Sequence, residues 1–143
     1  MIDTKKLIDS NILVYAFDKN EITKNKKAKS IILTLIEDNG LVLSVQNLSE
    51  FFVTVTQKIE MPISIENAKE IIIKFMTLPN INILKILPKS VIEAIEISEK
   101  FKINYWDALI AAVMQENNIN TIITENEKDF KKISWIKVIN PFK

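Results

Sequence analysis

The chain has 143 residues, 48% of them hydrophobic and 26% charged, with a formal net charge of +1. That is enough apolar side chain for the core of one domain over residues 1–143, and too little net charge to draw in nucleic acid by a global field. It holds no His, no Cys and no Arg, and Gly40 is its only glycine, which excludes His-based acid–base catalysis, a conventional zinc site, a disulfide framework and the glycine-rich phosphate loops.

Residues 5–9 read as a first strand, in which the apolar pair Leu7-Ile8 runs into Asp9. Residues 12–17 read as a short helix and 23–38 as a longer one, with Ala28, Ile31, Ile32, Leu35 and Ile36 recurring at helical spacing. Thr23 marks the start of the longer helix and Asn39-Gly40 its end. A second strand is predicted at 41–45. The pattern over 47–58 is helical despite the β-branched run Val53-Thr54-Val55-Thr56. Ser64 opens a helix over 64–76 that closes before Pro79. Residues 81–86 alternate as a strand, and 88–100 form a helix with Pro88 in its first turn. The helix over 104–116 carries an apolar stripe at Trp106, Leu109, Ile110, Val113 and Met114, and strands at 121–124 and 135–139 complete the set. Strands alternating with helices predict a three-layer α/β/α sandwich around a mostly parallel sheet, with right-handed crossovers. Residues 1–9 lack the apolar core of a signal peptide and no apolar run approaches a membrane span, so a cytoplasmic protein without a membrane partner is expected.

With the rest of the chemical inventory so bare, the carboxylates carry the weight. Asp9 ends the first strand, and ligands of open α/β sheets bind at that edge; capping of the helix that follows is the lesser reading, and the two can hold together. Glu50 stands three residues after Asn47, the spacing of a capping box, yet it is followed at once by Phe51-Phe52 and would gain from a cation if partly buried there. Asp107 stands in the first turn of the 104–116 helix, where the helix dipole favours an acid. That helix is apolar over much of its circumference, so an acid near its start is costly unless paired. Three converging carboxylates raise one another's pKa and are stable mainly around a cation. Mg²⁺ or Mn²⁺ prefers oxygen ligands and is typically held by one or two carboxylates plus substrate phosphate, which points to phosphodiester hydrolysis.

Three blocks carry a family resemblance: Leu7-Ile8-Asp9-Ser10-Asn11-Ile12-Leu13-Val14-Tyr15-Ala16-Phe17-Asp18, Ser44-Val45-Gln46-Asn47-Leu48-Ser49-Glu50-Phe51, and Tyr105-Trp106-Asp107-Ala108-Leu109-Ile110-Ala111-Ala112. In order and spacing, over nearly the whole chain, they resemble the PIN-domain nucleases, most closely the toxin half of VapBC-type toxin–antitoxin pairs. The resemblance implies a Mg²⁺- or Mn²⁺-dependent endoribonuclease, usually a homodimer, inhibited by a small cognate antitoxin. It places the family's acids on Asp9, Glu50 and Asp107, and polar supporting residues on Ser10 and Asn11. The usual fourth acid falls on Asn126, a departure that leaves Glu125 or Asp129 to compensate; Asn126 would hold a metal-bound water.

An RNA substrate needs a local basic surface. Lys24, Lys26, Lys27 and Lys29 form one cluster and Lys128, Lys131 and Lys132 another, although charge runs of this kind are commonly just solvated faces. Tyr105, Trp106 and Phe17 are candidate stacking groups for exposed bases, with burial in the core as their simpler role. Two other readings compete: a PIN-like domain that binds RNA or protein without cleaving, and a phospho-accepting receiver domain. The receiver needs an acceptor Asp after the third strand, and residues 81–86 run into Leu87-Pro88 with no acid.

Overall fold

The structure, a computed structural model, describes residues 4–143. Its elements run β1 (Lys6–Ile8), α1 (Ser10–Tyr15), α2 (Ile22–Glu37), β2 (Leu41–Ser44), α3 (Val45–Gln57), α4 (Ile65–Thr77), β3 (Ile81–Leu84), α5 (Pro88–Phe101), α6 (Tyr105–Glu116), β4 (Thr121–Ile123), α7 (Glu127–Phe130) and β5 (Lys137–Ile139). The five strands pair in the order β3-β2-β1-β4-β5, and every pairing is parallel.

Alternation along the strands sorts the core into two halves. Leu7, Val42, Leu84 and Ile122 pack on the face covered by α5, α6 and α7. Ile8, Leu41, Leu43, Ile81 and Ile123 pack on the other, under α1, α2, α3 and α4. The result is the expected α/β/α sandwich. From β1 the chain steps outward to β2 and β3, then crosses back to lay β4 on the free side of β1. The direction of winding reverses between β1 and β4, and such a reversal opens a crevice at the carboxyl ends of the strands.

Several local expectations are corrected. Helix α3 starts at Val45, not Asn47, because Ser44 is the cap: its hydroxyl accepts the Asn47 N–H (3.0 Å) while Asn47 Oδ1 accepts the Ser44 N–H (3.0 Å). The strand before it therefore stops at Ser44. Helix α2 starts at Ile22 with no side-chain cap. A turn at Asp18, which accepts the Asn20 and Glu21 N–H groups, launches it before Thr23 is reached. The four-residue α7 is too short to leave a periodic signal and was not expected. Along α6, Leu109, Ile110, Val113 and Met114 are buried as the stripe predicts, but Trp106 is 59% exposed. The first turn of α6 meets Gln46 at the edge of the sheet, not the core. Among the described residues, no helix is long and apolar enough to cross a membrane.

Asn39-Gly40 does end α2, with the roles divided differently from the usual stop. Asn39, not the glycine, takes the left-handed conformation (φ 58°). Gly40 is needed for a close approach: Lys6 N–H donates to its carbonyl at 2.9 Å, and a Cβ added there would stand 2.4 Å from the Thr4 carbonyl oxygen. Gly40→Ala should therefore destabilise the protein by about 1–3 kcal/mol, the usual cost of overpacking. Urea denaturation followed by circular dichroism reads this directly; an unchanged midpoint would refute the clash.

Candidate metal centre

The pairing of β1 with β4 builds the centre. Leu7 faces Ile122 and Ile8 faces Ile123. One residue further, both chains leave the sheet, and Asp9 meets Thr124. Asp9 N–H still donates to the Ile123 carbonyl (3.0 Å), so the carboxylate is fixed at the mouth of the crevice. Its side chain caps α1 through the Ser10 N–H (2.8 Å), and its other oxygen accepts from Thr124 Oγ1 (2.7 Å) and, more weakly, from Asn11 Nδ2 (3.5 Å). The capping role and the placement at the sheet edge hold together. Burial pushes the Asp9 carboxyl above its ordinary range, against the pull of the Thr124 and Ser10 hydrogen bonds.

Thr124, which no local pattern in the sequence singles out, is brought to Asp9 by the parallel pairing of β1 with β4. Fully buried, it donates to Asp9 and accepts from Asn11 Nδ2 (3.3 Å) and the Asn126 N–H (3.0 Å). Asn11 closes the frame by accepting the Glu125 N–H at 3.2 Å. Ser10 and Asn11 thus stand beside Asp9. Asn126 contributes its backbone to this frame, while its side chain is exposed and caps nothing.

Glu50 approaches from α3, on one side of the sheet, and Asp107 from α6, on the other. Glu50 is half-buried; burial raises its pKa first and the charge on Asp9 second, while Gln46 and the Ser10 hydroxyl oppose the rise. Its start-of-helix role is gone, because Ser44 and Asn47 form the capping box. Asp107 follows the cap Asn104, as expected. Its carboxyl is pushed up to about 7, by burial first, then by a hydrogen bond with Asp129 and the charges on Asp9, Asp129 and Glu50. The three predicted acids therefore share one electrostatic neighbourhood, and Asp129 joins them from α7.

Glu125 goes elsewhere. Tyr15 donates to its Oε1 (2.6 Å), and Lys24 donates to its Oε2 while lying 4.9 Å from the Tyr15 ring. Burial works to raise its pKa, but the bonds from Lys24 and Tyr15 win and hold it below the ordinary value. Lys24 is thereby drawn out of its basic cluster; Lys131 and Lys132 likewise bridge to Glu127 (2.7 Å) and Asp129 (4.0 Å).

The chemistry of the donor set suits a hard divalent cation: all candidate donors are oxygens, and among the described residues the ion pairs given do not include Asp9, Glu50 or Asp107. Among the described residues four buried side-chain atoms lack a hydrogen-bond partner, and three of them, Gln46 Oε1, Asn47 Nδ2 and Glu50 Oε1, lie together on α3. An orphaned carboxylate oxygen facing other acids is the kind of vacancy in hydrogen bonding that a cation fills. Among the described residues no group of three acids is already drawn tightly around a point an ion could occupy. Mg²⁺ needs only one or two carboxylates, with waters in its remaining positions.

Comparison with known proteins agrees with this architecture. No curated protein matches the chain in sequence. Among solved structures it is similar to a toxin–antitoxin complex from Klebsiella pneumoniae, at 22% identity and a TM-score of 0.66, covering 97% of this chain and 99% of that one. VapBC2 from Rickettsia felis, bound to a DNA fragment from its promoter, gives 22% identity and a TM-score of 0.68 over 94% of this chain and 97% of that one. VapC20 from Mycobacterium tuberculosis, a toxin that cleaves the sarcin-ricin loop, gives 12% identity and a TM-score of 0.68 over 92% and 97%. The model of the PIN domain family matches residues 6–136, nearly the full span of the fold just described, and the chain belongs to that family.

Proposed function

We propose that this protein is a metal-dependent endoribonuclease, a single PIN nuclease domain that serves as the toxin of a toxin–antitoxin pair in the cytoplasm. What supports the proposal is the shared electrostatic neighbourhood of Asp9, Glu50 and Asp107 at the carboxyl edge of the sheet, where the pKa of each is raised. Asp9 and Asp107 are assigned to hold Mg²⁺ or Mn²⁺ directly. Glu50 Oε1, buried and unpartnered, ligates the ion or accepts a hydrogen bond from the attacking water. When bound, such an ion lowers the pKa of water and neutralises charge developing on the phosphate and leaving oxygen. The Ser10 hydroxyl stands near both Asp9 and Glu50, and Asn11 bonds to Asp9 and Thr124. Asp129 supplies the fourth acid, and Asn126 holds water at the rim.

The partners follow from the same reading. RNA is the substrate. An antitoxin is supported by the similar toxin–antitoxin complexes and by a groove of about 560 Å³ between α2 and α4, lined by Phe17, Met61, Ile63 and Ile71 with Lys29 and Lys74 at its rim. Amphipathic helices fill grooves of that character. A homodimer is proposed from the family resemblance alone. The second reading, a PIN-like domain that binds without cleaving, draws its support from Asn126 standing where the fourth acid was expected.

Asp9→Asn should abolish RNA cleavage and leave the fold intact, and EDTA should abolish cleavage by the wild type; cleavage at the wild-type rate by the variant would reject the assignment. Titrating Mg²⁺ or Mn²⁺ should raise the wild-type melting temperature, since ligand at a hundredfold excess over Kd stabilises by about 2.7 kcal/mol, and should do so far less for Asp9→Asn. Stability without metal tests the acids themselves. A carboxyl whose pKa is higher folded than unfolded binds more protons in the folded state, so stability falls as pH rises, here between the ordinary 3.8 and about 7. Urea denaturation in EDTA across that window should show the decline in the wild type and a flatter, more stable profile for Asp107→Asn. A variant less stable than the wild type at neutral pH would contradict the repulsion.

A further inference from the structure

Trp106 spends the largest side chain in the repertoire on solvent. At 59% exposed it forgoes most of the burial an aromatic ring normally supplies to a core. Its backbone is nonetheless held from both sides: Asn104 Oδ1 accepts its N–H (2.8 Å) and Gln46 Nε2 donates to its carbonyl (2.9 Å). The Tyr105 ring braces it edge-on, with centroids 5.2 Å apart at 76°. The indole is therefore an exposed ring on a fixed base, one residue before Asp107.

The ring lines a groove of about 640 Å³ with Ser10, Glu50, Val53 and Lys58. The groove begins at the candidate centre, through Ser10 and Glu50, and extends along α3 to Val53, Thr54 and Lys58. Lys58, at the end of α3, is exposed and forms no ion pair among the described residues. A second groove of about 440 Å³ shares Ser10, Thr54 and Lys58 but opens the other way, past Asp18, Glu21 and Glu60. Those acids repel a phosphate backbone. Lys58 borders both paths away from the centre, and Tyr15 on the second is engaged by Glu125, Lys24 and Phe142; the Trp106 side is the one that joins that cation to an exposed ring with no acid beyond Glu50.

We propose that Trp106 is a stacking platform for an unpaired base of the substrate, with Lys58 meeting the adjoining phosphate, so that the enzyme selects single-stranded or looped RNA. The inference rests on the nuclease reading for its substrate and adds a specificity-determining residue to it. A π-face accepts any base and a lysine any phosphate, so the platform sets the strandedness of the substrate and leaves its sequence to other contacts. A paired base, stacked inside a helix, cannot reach the indole.

The test uses the full chain with Trp135→Phe, which leaves Trp106 as the one indole, titrated with a short oligoadenylate and with the same strand fully paired to its complement, in EDTA and in Mg²⁺. Emission should be quenched by the single strand and not by the duplex. Trp106→Ala, in the otherwise native chain, should weaken single-strand binding by about tenfold to a hundredfold, the range found for single stacked bases. Trp106→Phe should retain most of the affinity, and Lys58→Ala should reduce its dependence on salt. Unquenched emission, equal quenching by duplex, or undiminished binding by Trp106→Ala would overturn the proposal. So would quenching that depends on protein concentration without RNA, which would assign the ring to a second copy of the chain. Quenching without any cleavage would sink the nuclease reading and spare this one; cleavage without quenching would do the reverse.

Discussion

The hydrogen bond from Thr124 Oγ1 to Asp9 Oδ2, 2.7 Å long, joins the two strand ends on which the whole centre is built. It exists because β1 and β4 are neighbours in parallel register, which brings residues 115 apart in sequence to the same point. A slip of one residue would turn every side chain of β1 to the opposite face, drawing Asp9 into the buried register of Ile8 and Ile8 into that of Leu7. Core packing on both faces forbids that slip: Leu7 is committed to one half and Ile8 to the other, both fully buried. The hydrophobic pattern of a three-residue strand thus sets the position of the carboxylate to within a side chain's reach.

Around that fixed point the acids are sorted by whether a cation reaches them. Glu125 has Lys24 and Tyr15 and is neutralised. Glu127 has Lys131 and Lys143. Among the described residues, Asp9, Glu50 and Asp107 stand in no ion pair; around them are Thr124, Ser10 and Gln46, neutral donors that orient a carboxylate without discharging it. Burial, Asp129 and the neighbouring acids push the Asp107 carboxyl up to about 7. Such an arrangement weakens the folded state by itself, since desolvation acts on all three and like charge adds to it on Glu50 and Asp107. Strain of this kind persists where the surrounding structure over-determines it, and here two core halves and a buried threonine do so.

The architecture was legible because strand alternation and helical periodicity are local signals; Ala28, Ile32 and Leu35 face inward as their spacing says. Asp9 and Asp107 were legible for a related reason: each stands where an apolar element begins or ends, and a charge there asks for a partner. The boundaries that failed depended on hydrogen bonds between side chain and backbone. Asn47-Glu50 and Ser44-Asn47 have the same spacing, and only the geometry of the strand end decides which pair closes the box. Trp106 fits the apolar stripe by count, yet its turn of helix projects to the sheet edge, which periodicity cannot see. Whether Glu125, Asn126 or Asp129 lay near the acids turned on α7, whose single turn carries Asp129 back toward Asp107 while Glu125 is drawn off to Lys24.

Each layer of the sandwich contributes its own acid: the sheet supplies Asp9, α3 on one side supplies Glu50, and α6 on the other supplies Asp107. Their separation is therefore a reading of how far apart the layers stand at the carboxyl edge. Gln46 is the side chain that ties the two helix layers together there, donating across the edge to the Trp106 carbonyl at 2.9 Å and to Glu50 at 3.5 Å. Because it is nearly buried and its Oε1 has no partner, the amide costs more than an apolar residue of its size would. Packing alone gives no reason to keep it. A reason appears once the layers must hold a fixed gap: a methylene chain would let α3 and α6 settle wherever their apolar faces fit best, whereas a directional bond to a main-chain carbonyl holds one distance. The same bond fixes the carbonyl of Trp106, so the spacing of the acids and the seat of the exposed indole are set by one side chain.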